Sequence, residues 1–186
     1  MLLAKKKNMT QLFDEKGKVV PVTILDFSEC RVVKGQKKSG NFVMIGKKLK
    51  PGKAELGKYG EGNVPEYSVK VAPEIEALDD LQPGDNLNVS SVSKGKGFAG
   101  VIRMWKFKGG KRTHGQSDRQ RHPGSIGAGT TTGRVFKGLK MGRRKGGEVV
   151  TIRNVKVVSV DVENKLLTLA GSIPGTYNSI IKIVKK

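Results

Sequence analysis

His114 and His122 flank Gln116-Ser117-Asp118-Arg119-Gln120-Arg121, whose residue types could complete a Ser/His/Asp triad through His114. A triad needs its three groups held within hydrogen-bond reach by a rigid support. This stretch is a basic loop between glycines, with no Cys or Glu, so no catalytic residue is assigned. One Cys and two His fall short of a Cys/His zinc site of ordinary stoichiometry, and no metal site is expected. Cys30 has only Arg31 beside it, too little to activate a thiol, and a small core residue is the favoured reading. Gly95-Lys96-Gly97-Phe98-Ala99-Gly100 matches GxGxxG. A dinucleotide site needs a helix directly after that motif, inside a βαβ unit. Here Val101–Phe107 is strand-like and a basic glycine loop follows. Gly46 to Lys53 has one residue too many for a P-loop, and Ala54 follows the Lys. No cofactor or small-molecule substrate is expected.

What remains is the chemistry of neutralising a polyanion. The chain of 186 residues has 36 Lys+Arg against 16 Asp+Glu, a net charge of +20. Residues 94–145 hold 15 of those cations and one acid, Asp118, whereas residues 61–93 hold seven acids and one cation. A solvated surface mixes signs; this one segregates them. The implied partner is nucleic acid first and an anionic membrane surface second. In Lys94 to Gly100, glycines would let backbone N–H groups approach phosphates while Lys94 and Lys96 supply charge; a glycine-rich strand bulge is the other reading, and both can hold. Trp105 and Phe107 would share one face of a strand, either to stack on a base or to pack over the core. Glu74, Glu76, Asp79 and Asp80 read as a solvated face or a partner for basic neighbours.

The flanks must position this basic stretch. Lys18–Phe27, Arg31–Lys34, Phe42–Ile45, Tyr67–Ala72, Leu87–Ser93, Glu148–Arg153, Val155–Val162, Leu166–Leu169 and Ser179–Val184 are strand candidates. Pro21 places the first at an edge or a strand start, and Glu163-Asn164 looks like a hairpin turn. Gly35 to Gly40 reads as a basic turn, and Glu74–Asp80 could form a short helix, acidic from its first turn. Short strands with Gly/Pro turns predict a small antiparallel β-barrel. The glycine-rich stretch between them is too long for a structureless loop in a compact domain, and reads as an arm that becomes ordered against RNA. The expected division is a barrel from 1–45, 85–105 and 146–186, a small inserted subdomain at 46–84, and an extended arm at 106–145. No apolar run approaches the ~18–20 residues of a membrane span. The start lacks the order of a secretory signal, and a single Cys suits a reducing compartment.

Several strings in order resemble the universal large-subunit ribosomal protein L3 (uL3) family in a shortened bacterial form. They are Met9-Thr10 with Phe13, Gly17 and Pro21-Val22-Thr23; Ser93 to Gly100; Trp105, Phe107 and Thr113-His114-Gly115; Pro123-Gly124-Ser125-Ile126-Gly127; Gly133 to Gly138; Lys140-Met141; and Val150-Thr151. The resemblance implies a mainly β fold. It would be a translation-protein/SH3-like barrel with a reduced α+β insertion and a long basic glycine-rich arm. It implies a structural, non-enzymatic protein that binds large-subunit rRNA of the bacterial 23S type and nucleates early subunit assembly. The arm would reach toward the peptidyl-transferase region. Neighbouring large-subunit proteins would be its other partners, with no membrane. The location implied is a cytoplasmic ribosome, with an organellar one as the alternative. The rRNA-binding residues would be Lys94, Lys96, Arg103, Lys106, Lys108, Lys111, Arg112, His114, Arg119, Arg121, His122, Arg134, Lys137, Lys140, Arg143, Arg144 and Lys145. The arm tip would be Pro123, Gly124, Ser125, Ile126, Gly127, Ala128 and Gly129. Ala128 stands where bacterial members often carry a Gln that is methylated in some, so that modification has no acceptor here. The rival to a ribosomal protein is an extra-ribosomal barrel-type RNA-binding protein or RNA chaperone.

Overall fold

The computed structural model describes residues 1–33, 41–59, 64–71 and 80–185. The turn expected over Gly35 to Gly40 and nearly all of the helix expected over Glu74–Asp80 lie outside the described residues. The chain divides into two compact units, Met1–Ser93 with Val149–Lys186, and Lys94–Glu148.

The first unit is built on a closed antiparallel barrel. Its strands are β1 (Leu2–Phe13), β2 (Val19–Asp26), β6 (Asn86–Val92), β9 (Val149–Asp161), β10 (Leu166–Ala170) and β11 (Ile180–Lys185), joined in the order β1-β11-β6-β9-β10-β2. Alternation puts every second side chain inside: Leu87 and Val89, Val155 and Val157, Leu167 and Leu169, Ile181 and Ile183 form one buried cluster with Leu2, Ala4, Leu25 and Phe27. Each such side chain is worth about 1.5–3 kcal/mol of burial. All three buried polar or charged side chains among the described residues, Lys6, Thr23 and Ser91, have partners. The Thr23 hydroxyl donates to the Gly171 carbonyl at 2.7 Å and the Ser91 hydroxyl to the Ile180 carbonyl at 2.8 Å.

Two strand candidates near the C-terminus, Glu148–Arg153 and Val155–Val162, form the single strand β9. Their break is a bulge, where the register against β6 shifts between Leu87 and Val89 and Asn154 takes a φ of +57°. The β9–β10 hairpin turns at Glu163-Asn164, as the sequence predicts. Pro21 pairs with Gln11 of β1, one residue beyond the last β2–β10 pair at Val22, so its missing N–H costs no ladder bond.

Three strands stand outside the barrel: β3 (Cys30–Val33), β4 (Asn41–Ile45) and β5 (Tyr67–Val71), in the order β3-β4-β5. β3 therefore pairs with β4, and β4 with β5, and neither pairs with a barrel strand. This sheet contributes Ile45, Tyr67 and Val69 to a second cluster with Leu3 and Ile180, so β1 buries residues on both of its faces. Cys30 touches both clusters, and burial pushes its thiol pKa up, as expected of a core residue. A seven-residue helix, α1 (Lys53–Tyr59), begins where Glu55 accepts from the Gly52 N–H at 2.9 Å and from Lys48 at 2.7 Å. No helix among the described residues is long and apolar enough to cross a membrane.

Candidate nucleic-acid interface

The ends of the second unit are zipped together. β7 (Phe98–Ala99) pairs antiparallel with β8 (Arg143–Arg144), Phe98 opposite Arg144. The Lys96 N–H donates to the Lys145 carbonyl at 2.8 Å, and the Lys145 N–H to the Gly97 carbonyl at 2.9 Å. The Lys145 ammonium adds a bond to the Arg103 carbonyl at 3.1 Å. This separates the two readings of Lys94 to Gly100. The Lys96 N–H is spent on the ladder and cannot hold a phosphate, while the Lys94 and Lys96 side chains stay exposed. Gly146, at a φ of +77°, lies so close to the Lys94 carbonyl oxygen that a Cβ would overlap it.

Val101–Trp105, expected as strand, is a five-residue helix, α2, closed by a Met104 N–H to Gly100 carbonyl bond and by Lys106 in the left-handed region. Local β propensity yields to the turn that must follow the two-residue β7. Trp105 and Phe107 therefore do not share a strand face. The Trp105 indole N–H donates to the Met141 carbonyl at 2.8 Å, and the Arg143 guanidinium and Lys140 ammonium lie 5.2 and 5.9 Å from its ring centre. It ties the outgoing chain to the returning one, a role the two sequence readings did not include. A helix does follow the GxGxxG string, contrary to expectation. All strand pairs are nevertheless antiparallel among the described residues, so no βαβ unit exists to hold a dinucleotide.

Beyond α2 the loop is braced by backbone. The Gly110 N–H donates to the Gln120 carbonyl at 2.8 Å. With its amide turned to accept, Gln116 takes the N–H groups of Arg119 and Gln120 at 2.8 and 2.9 Å, capping the 3-10 turn Arg119–Arg121. Ser117 donates its hydroxyl to Asp118 at 3.2 Å and not to a histidine, so no triad forms. Among the described residues, no three His, Cys, Asp or Glu converge on a metal-sized site. The segment from Pro123 to Gly129 is exposed throughout, pinned by a Ser125 hydroxyl to Gly127 carbonyl bond at 3.2 Å, and leads into the single turn α3 (Gly129–Thr132).

Charge and packing point the same way. Of the seventeen cationic and imidazole candidates, Lys145 is half-buried and the rest are exposed. Among the described residues, the unit's one internal ion pair is Arg143 with Glu148 at 3.9 Å, both partners more than half exposed, a contact of little worth. Its buried apolar residues are Ala99 and Val101, whereas Phe98 is 74% and Phe136 54% exposed, with Ile126, Val135 and Leu139 also exposed. A self-repelling chain without a core needs a polyanion to complete it.

The family model for Ribosomal protein L3 matches residues 65–171, more than half of the chain and all of Lys94–Glu148. The chain belongs to the ribosomal protein L3 family. It is 42% identical over 199 residues to "Large ribosomal subunit protein uL3" of Dehalococcoides mccartyi (strain ATCC BAA-2100 / JCM 16839 / KCTC 5957 / BAV1), covering 99% of this chain and 97% of that protein. It is 42% identical over 202 residues to the uL3 of Chloroherpeton thalassium, covering 98% of this chain and 97% of that protein. It is 39% identical to "Large ribosomal subunit protein uL3c" of Gracilaria tenuistipitata var. liui, with the same coverage. The L3 match spans β5 to β10, and so includes both the zipped ribbon and the braced loop. Gln116 and Gly146 were missed as positioning residues. Gly146-Gly147 just before β9 was the one available signal, and the Gln116 cap had none.

Proposed function

We infer that this chain is a structural, non-enzymatic constituent of the large ribosomal subunit that binds rRNA directly. The observation that carries the reading is the unit Lys94–Glu148, with fifteen cations against two acids, no internal ion pair of consequence among the described residues and almost no core, in a chain of the L3 family. The finer reading is that the exposed cations from Lys94 to Lys145 neutralise phosphates of a 23S-type rRNA. The segment Pro123–Gly129, free of large side chains apart from Ile126, enters close-packed RNA toward the peptidyl-transferase region. The barrel core is complete within the first unit, which suits a protein that folds early and nucleates assembly. Neighbouring large-subunit proteins are its other partners.

Co-sedimentation of the tagged chain with ribosomal particles of its own cells through a high-salt cushion tests this. High salt matters because any +20 protein adheres to ribosomes at low ionic strength. Retention at about one copy per large subunit is expected. Release into the soluble fraction would instead favour an RNA-binding protein or chaperone acting off the ribosome.

A further inference from the structure

Within Lys94–Glu148, Phe107, Lys108, Arg119 and His122 line an open concavity of about 880 Å³. Gly109 and Gly110 give it a wall of bare backbone. That size is in the range of small-ligand pockets, which run about 300–1,000 Å³. Its chemistry is that of a nucleotide: one aromatic face for a base, two cations for phosphate, an imidazole for base or sugar edges, and glycine backbone that lets a flat ring approach. A recess of that size has room for a single unstacked nucleotide.

The recess is also held in place before any ligand arrives. Gly109, at a φ of +73°, packs so closely that a Cβ would lie 2.5 Å from the Gln120 carbonyl oxygen. Gly110 bonds the same carbonyl, and the Gln116 side chain caps the turn that presents Arg119. No acid lines the recess, and the neighbouring Asp118 is engaged by the Ser117 hydroxyl.

We propose that this cleft captures one unstacked nucleotide of the bound RNA, its base against the Phe107 ring and its flanking phosphates at Lys108 and Arg119. The inference rests on the reading of this unit as an rRNA interface. The sequence offered base stacking to Phe107 only together with Trp105 on a shared strand face; the end of α2 at the left-handed Lys106 breaks that pairing, and Phe107 alone lines the cleft.

The test measures binding of the full-length chain to single-stranded oligouridine and to a fully paired RNA duplex, at several salt concentrations. Phe107→Leu should weaken single-strand binding about tenfold while leaving duplex affinity and the salt slope unchanged. Phe107→Tyr, which keeps the ring, should bind as the unaltered chain does. The sole tryptophan, Trp105, lies in the same unit, and its emission reports whether a variant keeps that unit folded. Should the Leu variant fail that control, 5-bromouridine-substituted oligouridine crosslinked to the unaltered chain decides, with attachment expected within Phe107–Lys108. Equal losses on both RNAs, no loss, or attachment confined elsewhere would overturn the cleft and leave the interface reading standing. Absence of salt-dependent binding to either RNA by the unaltered chain would overturn both.

Discussion

Gly146 and Gly147 both sit in the left-handed region, at φ of +77° and +71°, yet they differ in what surrounds them. A Cβ on Gly147 meets nothing within 4 Å, whereas one on Gly146 overlaps the Lys94 carbonyl. That carbonyl belongs to backbone next to Lys96, whose N–H is tied to Lys145, so it cannot move aside without straining the ladder. Gly147→Ala should therefore cost about 1–2 kcal/mol, the strain of a left-handed alanine. Gly146→Ala should cost that strain plus about 1 kcal/mol for a disrupted ladder bond. Hydrogen exchange at the Lys96 and Lys145 amides separates the two, with clearly faster exchange in the Gly146 variant. Equal protection in both variants would mean that the close approach is not maintained in solution.

The strand β1 shows a different dependence, on a buried cation. Lys6 is 8% exposed, and its ammonium donates to the Ile173 carbonyl at 2.6 Å and the Gly175 carbonyl at 3.2 Å. It thereby fastens the loop between β10 and β11 to β1. Lys6→Met keeps much of the aliphatic stem but leaves those carbonyls short of a charged donor. A loss of about 1.5–3 kcal/mol is expected in urea unfolding followed by circular dichroism. An unchanged midpoint would show that water replaces the ammonium. The same residue explains why β1 escaped sequence reasoning. Lys5-Lys6-Lys7 hides the alternation of a strand whose cations all find distant partners: Lys5 meets Glu29 at 2.7 Å and Lys7 meets Asp26 at 3.3 Å. Strands such as β6, β10 and β11 were readable because each is a short run carrying Leu, Val or Ile and bounded by turn residues. The basic character of Lys94–Lys145 was readable for a similar reason, since net charge survives any conformation. The helix α2 was not, because the contact that fixes its end exists only once the chain has returned to Met141, and the cap on Arg119 was not, because Gln is not among the residues favoured as helix caps.

These ion pairs give the first unit a one-sided response to pH. Burial pushes the Asp26 carboxyl up, but its bonds from Ser28 and the Lys7 ammonium outweigh burial and hold it below the ordinary value. Lys185 and the Gln82 N–H lower Asp85, the Asn164 side chain and N–H lower Asp161, and Lys48 lowers Glu55. Each group has a lower pKa folded than unfolded, so its stabilisation is complete above the unfolded values near 4 and is lost as pH falls through the folded ones. Lys5 is raised by its Glu29 hydrogen bond, so its contribution is complete below about pH 10 and fades only above that. The urea midpoint should hold between pH 6 and 9 and fall at pH 3, and Asp26→Asn should shrink that fall. A midpoint that drops equally at pH 9 would contradict the assignment.

The division into two units sets the last expectation. Val92 of β6 pairs directly with Val149 of β9, and the whole of Lys94–Glu148 leaves and re-enters the chain between those two residues' neighbours. Replacing Lys94–Glu148 by a short Asn-Gly turn would join β6 to β9 as an ordinary hairpin. The buried cluster of the barrel contains no residue from the removed segment, so the shortened chain should still unfold cooperatively. It should lose nearly all affinity for rRNA, because 15 of the 36 cations and the braced loop go with the segment. For the full-length chain, neutralising about ten phosphates predicts a slope of log K against log salt of roughly −7 to −9, and the shortened chain should show only a small fraction of it. A shortened chain that folds and binds with the full slope would move the RNA interface onto the barrel, where the cations of β1 already have protein partners. The positive charge would then have to come from exposed lysines outside β1, such as Lys47, Lys50 and Lys53, which among the described residues are fewer than the fifteen cations of the removed segment.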